Sequence, residues 1–84
     1  MTYTFHHDPG HGWLEVTKAE LGELGLTEKV SSFSYFDGDK VFLEEDYDAP
    51  LFITVWENAH GETISINSAY TERFYLRGNT WLHI

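Results

Sequence analysis

The sequence predicts an α+β domain: an antiparallel sheet built from hairpins, with two short helices packed on one face. Three observations carry this. Turn-forming clusters at Asp8-Pro9-Gly10-His11-Gly12, Asp37-Gly38-Asp39 and Arg77-Gly78-Asn79 each separate alternating apolar segments. A Thr17-Lys18-Ala19-Glu20 capping box and an Asp48-Ala49-Pro50 start mark where the apolar spacing changes from two residues to three or four. The 84 residues, 17% of them aromatic, suffice for one core and are too few for two domains, so 1–84 reads as one unit.

Thr2–His7 alternates, with Tyr3 and Phe5 on one face, and reads as a strand. Proline then fixes φ and two glycines permit positive φ, turning the chain into Trp13–Val16, with Leu14 and Val16 inward. The first hairpin is therefore Thr2–Val16. Thr17 at N-cap and Glu20 at N3 open a helix of about two turns, Lys18–Leu24, with Leu21 and Leu24 as its apolar stripe and Gly25 at C′. Leu26–Val30 offers one further turn. Ser32–Phe36 and Lys40–Glu44 form the second hairpin, with Val41 and Leu43 on one face and Phe42 and Glu44 on the other. Asp48 caps the second helix and Pro50 falls in its first turn. Leu51, Phe52, Val55, Trp56 and Ala59 recur at helical spacing, and Gly61 ends the run. Thr63–Ser68 alternates with Ile64 and Ile66 inward, and Glu72–Leu76 with Thr80–Ile84 closes a third hairpin. The predicted order is ββα-ββα-βββ.

Charge is unevenly spread. The net charge is −9, yet residues 1–57 hold 12 acids and 3 lysines, while residues 58–84 balance. Asp37, Asp39, Glu44, Glu45, Asp46 and Asp48 surround the single Lys40, and Glu15, Glu20, Glu23 and Glu28 follow the first helix and its approaches. So acidic a chain is a poor ligand for free nucleic acid or an anionic membrane. No apolar run approaches the ~20 residues of a membrane span. Met1–Phe5 lacks the basic-then-apolar pattern of a secretory leader, so a cytoplasmic location is expected. With no cysteine there is no disulfide, zinc-thiolate or thiol chemistry.

Two readings of the acids stand. In one, Asp37, Asp39, Glu44, Glu45, Asp46, Asp48, Glu20 and Glu23 form a directional face that docks on a basic protein surface, one built for nucleic acid. In the other they are a solvated coat, with turn and cap duties for Asp37, Asp39 and Asp48. Glu44-Glu45-Asp46 lacks the spacing of a calcium loop, and neighbours on a strand point to opposite faces, so a cation site is not expected there.

His7, Asp8 and His11 would supply three zinc ligands with water as the fourth, which keeps a metal-binding module or small metal-dependent enzyme as an alternative. The plainer reading of the same residues, and the preferred one, is a rigid loop in which Asp8 bonds its own backbone and the histidines pack against Trp13. No G-x-S-x-G, P-loop or H-E-x-x-H pattern accompanies them. So small a domain also leaves little room for a pocket of several hundred Å³ beside its core. A non-enzymatic protein without a cofactor is the expectation. In the carboxy-terminal hairpin, Arg73, Tyr75 and Arg77 share a face that Trp81 joins across the turn. Arg, Tyr and Trp favour protein interfaces, which suggests a second contact surface, a homodimer contact included, or simple cover for the second sheet face.

The string His7-Asp8-Pro9-Gly10-His11-Gly12-Trp13-Leu14-Glu15-Val16, then Leu24-Gly25-Leu26, Ser34-Tyr35, Val41-Phe42-Leu43-Glu44-Glu45-Asp46 and Asp48, resembles a family of small proteins carried by bacteriophages, plasmids and related mobile elements. The resemblance covers roughly residues 3–56. Members of that family often have Cys where this chain has Tyr47, and their tails differ. It implies a mobile-element setting and no catalytic residues. Small acidic proteins of that setting are similar in style to inhibitors of host defence, such as anti-CRISPR and anti-restriction proteins, some of which present acidic, nucleic-acid-like surfaces to nucleic-acid-binding enzymes. By that analogy of style, an inhibitor of a host nucleic-acid-binding defence complex is the expected function. A structural accessory protein with no inhibitory role is the plainer alternative.

Overall fold

A computed structural model describes residues 2–71 and 79–80 of the chain. Its elements are β1 (Thr2–His7), β2 (Gly12–Thr17), α1 (Lys18–Glu23), β3 (Tyr35–Asp37), β4 (Lys40–Glu44), α2 (Asp48–His60), β5 (Ser65–Tyr70) and the two-residue β6 (Asn79–Thr80). The fold is α+β. One mixed sheet runs β5-β1-β2-β4-β3, with β6 beyond β3. Apart from β6, the proposed third hairpin lies outside the described residues, and with it Arg73, Tyr75, Arg77 and Trp81.

The sheet is not purely antiparallel. β5 lies parallel to β1, from Thr2↔Ser65 to His7↔Tyr70. The reason is the connection: α2 carries the chain back across the sheet, so β5 starts at the same end as β4, as a helical crossover requires. β4 and β1 both run antiparallel to β2, so β5 joins the far edge in their direction.

Local chemistry sets the remaining elements. The capping box forms: Thr17 Oγ1 accepts the Glu20 amide at 3.1 Å and Glu20 Oε1 accepts the Thr17 amide at 2.8 Å. α1 closes in a Schellman motif, with Gly25 at φ 70°, its amide donating to Gly22 and the Leu26 amide donating to Leu21. Leu21 and Leu26 are both buried, which is the apolar contact that accompanies this motif. The second hairpin is shorter than the alternation of Ser32–Phe36 predicts, because β3 begins only at Tyr35. Ser31 and Ser34 instead form a turn, in which the Phe33 amide donates to Ser31 Oγ at 3.2 Å. Side-chain to backbone bonds of this kind displace the sheet ladder.

Both helices contribute to one core. Leu14, Val16, Val41 and Leu43 point from the strands, Leu21 from α1, and Phe52 and Trp56 from α2. The Tyr3 ring meets Phe52 and Trp56 edge-on, with centroids 5.5 and 6.2 Å away. Its hydroxyl donates to Glu20 Oε2 at 2.5 Å, tying β1 to α1. Burial, reinforced by that bond, pushes the Tyr3 hydroxyl well above its ordinary range, so it keeps its proton and remains a donor.

The β1–β2 turn is tight at one point. A Cβ on Gly12 would lie 2.3 Å from the Phe5 ring, whereas one on Gly10 would meet nothing closer than 3.7 Å. Gly12→Ala is therefore expected to lower stability by about 1–3 kcal/mol through displacement of Phe5. Gly10→Ala should be close to neutral. Urea denaturation of both variants checks this, and equal midpoints would refute it.

Candidate functional site

The acidic band divides by duty. Asp48 is 1% exposed and cannot meet a partner. Its Oδ1 accepts the Ser31 amide at 3.1 Å, and its Oδ2 accepts the Ser31 and Ser34 hydroxyls at 2.6 and 2.5 Å. Nor does it cap α2 as the sequence suggests, because the N-cap is Tyr47, which makes no side-chain cap bond. That duty falls to Glu44 on the preceding strand. Glu44 Oε2 accepts the Asp46 amide at 2.9 Å, while Oε1 accepts those of Tyr47 and Asp48 at 2.5 and 3.1 Å. A carboxylate set against amides at a helix start satisfies orphan donors and opposes the helix dipole. Glu20 is likewise committed, to Thr17 and Tyr3.

Asp37, Asp39, Glu45, Asp46 and Glu23 remain exposed. Ion pairs among the described residues involve Glu15, which meets His6 at 2.8 Å and Lys40 at 3.7 Å, and none of these five. They do not form one continuous band. Asp37 and Asp39 flank the β3–β4 turn, where the Lys18 amide donates to the Asp39 carbonyl and brings α1 alongside. Glu45 and Asp46 follow the opposite end of β4. Four residue steps at ~3.3 Å put the two ends about 13 Å apart.

The histidines separate as well. Asp8 Oδ1 accepts the Gly10 and His11 amides at 2.9 and 2.8 Å, the self-bonded turn that this composition favours. His7 lies on the Tyr3 side of the sheet, its ring centroid 5.3 Å from that of Tyr70. His11 approaches Trp13, with ring centroids 5.6 Å apart. Among the described residues no group of three His, Asp or Glu side chains is placed to hold a metal ion, so His7, Asp8 and His11 are not brought together as ligands.

One feature contradicts the expectation of a pocketless domain. Between the β1–β2 turn, the 31–34 turn and the β4–α2 corner lies an open cleft of about 640 Å³. Trp13, Tyr35, Phe33 and Tyr47 supply its aromatic walls, and Glu45 and Asp46 stand at its acidic edge. Phe33 and Tyr47 are 75% and 58% exposed, unusual for such large rings in so small a protein. The sequence does not single them out, because Phe33 falls in an ordinary alternating segment and Tyr47 in an acidic run. The available signal was an aromatic directly beside each turn or acid run.

Comparison of the chain with protein-family models, curated proteins and solved structures finds no match. No helix among the described residues is long and apolar enough to cross a membrane.

Proposed function

We propose that this is a non-enzymatic interaction protein that docks an acidic surface on a basic protein face and blocks it, as an inhibitor of a host nucleic-acid-binding defence complex would. The observation that carries the reading is that five carboxylates are exposed and outside every described ion pair, after the fold has used Asp48, Glu44 and Glu20 for itself. The plainer reading, a solvated coat, predicts no loss of binding when these carboxylates are reversed. Duplex DNA presents a charge every ~1.7 Å, or about eight over 13 Å, so this surface is a sparse imitation of one. Its affinity therefore rests on few contacts, and single-site charge reversals should be felt.

The test uses Glu45→Lys/Asp46→Lys and Asp37→Lys/Asp39→Lys, leaving Glu44 in place because it holds the corner. Immobilised protein should retain basic nucleic-acid-binding proteins from nuclease-treated bacterial lysate at low salt. Capture should fall as salt shortens the screening length below ~10 Å, and duplex DNA should compete. The Glu45/Asp46 reversal should weaken capture at least about tenfold, mainly through slower association, because both carboxylates are exposed. Identical capture by wild type and both reversed variants would exclude the acidic surface as the contact.

A further inference from the structure

We propose that the aromatic cleft beside the β4–α2 corner receives an arginine side chain of the partner protein. This deepens the docking reading above and rests on it. The walls are rings, Trp13, Tyr35, Phe33 and Tyr47, and the edge is anionic, Glu45 and Asp46. Ring faces attract cations, and a planar guanidinium stacks on them while its N–H groups reach carboxylates; a compact, strongly hydrated ammonium does this less well. A nucleic-acid base would also stack, but its phosphates would lie against Glu45 and Asp46. A neutral apolar side chain would fill the volume and make no use of the edge. The charge therefore selects a cation, and the flat walls select arginine.

The corner is also built to hold its shape through its own bonds. Glu44 takes three consecutive amides, and the 31–34 turn is anchored on Asp48, so both ring-bearing segments are fixed by bonds that leave Phe33 and Tyr47 exposed.

The experiment is an NMR titration of ¹⁵N-labelled protein with three capped tripeptides, Gly-Arg-Gly, Gly-Lys-Gly and a version with citrulline, the neutral isostere of arginine. The arginine peptide should shift the Trp13 indole and Tyr47 amide signals at millimolar concentration. The lysine peptide should bind several-fold more weakly, and the citrulline peptide should leave the cleft unmoved. Phe33→Ala and Tyr47→Ala, both at exposed positions that keep the fold, should each weaken the arginine peptide about two- to fivefold. Asp37→Asn/Asp39→Asn, at the other end of β4, should not.

Absence of cleft shifts, equal binding of the citrulline peptide, or indifference to removal of both rings would overturn the proposal. So would self-association lost in both ring variants, which would make the occupant another copy of this chain. Failure of the arginine peptide alongside intact, charge-dependent lysate capture overturns the receptor alone. Arginine binding alongside capture indifferent to charge reversal overturns the docking reading and, with it, the assignment of the arginine to that partner.

Discussion

Asp48→Ala is expected to lower the unfolding free energy by about 3 kcal/mol, although the residue sits in what the sequence presents as an acidic run. The substitution deletes an acceptor shared by the Ser31 amide and the Ser31 and Ser34 hydroxyls. Hydrogen bonds to a charged group are worth about 1.5–3 kcal/mol each, and a buried donor left without its acceptor adds its own desolvation cost. Water reaching the half-buried Ser31 offsets part of this, which keeps the figure near the lower end of the sum. Ser34 is itself buried and also accepts the Glu44 amide at 3.0 Å, so the loss spreads to β4. Urea denaturation followed by tryptophan fluorescence measures it. A Ser34→Ala/Asp48→Ala cycle should be sub-additive, since both changes break the same bond. A loss below about 1 kcal/mol would show that Asp48 is a surface acid after all.

Phe52→Ala should cost about 4 kcal/mol, by removing a fully buried ring and leaving a cavity that the strands cannot close. Phe52 is the nearer of the two α2 rings that the Tyr3 ring meets, so the helix, β1 and, through the Tyr3 hydroxyl, α1 loosen together. A domain of this size has a total stability of roughly 4–12 kcal/mol, so the variant should be at the margin of folding at room temperature. The midpoint in urea reports it directly. A shift as small as that of an exposed alanine substitution would mean that α2 does not seat on the sheet through this ring.

What could be read from the sequence was whatever closes over a few residues. The Thr17–Glu20 capping box, the Gly25 termination of α1, the Asp37-Gly38-Asp39 hairpin, the Asp8 self-bonded turn and the end of α2 at Gly61 all depend on neighbours in the chain, and all are present in the structure. What could not be read depends on partners brought together by folding. Asp48 looks like a cap locally, but its partners lie 14 and 17 residues upstream. The parallel β1–β5 pairing joins residues more than sixty positions apart, and hairpin signals cannot express it. Phe33 and Tyr47 belong to separate segments and become one cleft only once Ser31, Ser34 and Glu44 have fixed both. The acids illustrate the point most sharply. Their number is evident from composition, but which are spent inside the fold is a three-dimensional fact.

For the docking proposed above, the Glu44 carboxylate has a consequence beyond folding. A loop that orders only on contact surrenders about 1–2 kcal/mol of backbone entropy per residue at that moment. The segment from Asp46 to Asp48 has its amides pinned in the fold itself, so in the docking proposed above that loss is incurred during folding and does not burden the encounter. A few solvated charges on a stiff corner can then achieve what a larger number on a floppy one could not.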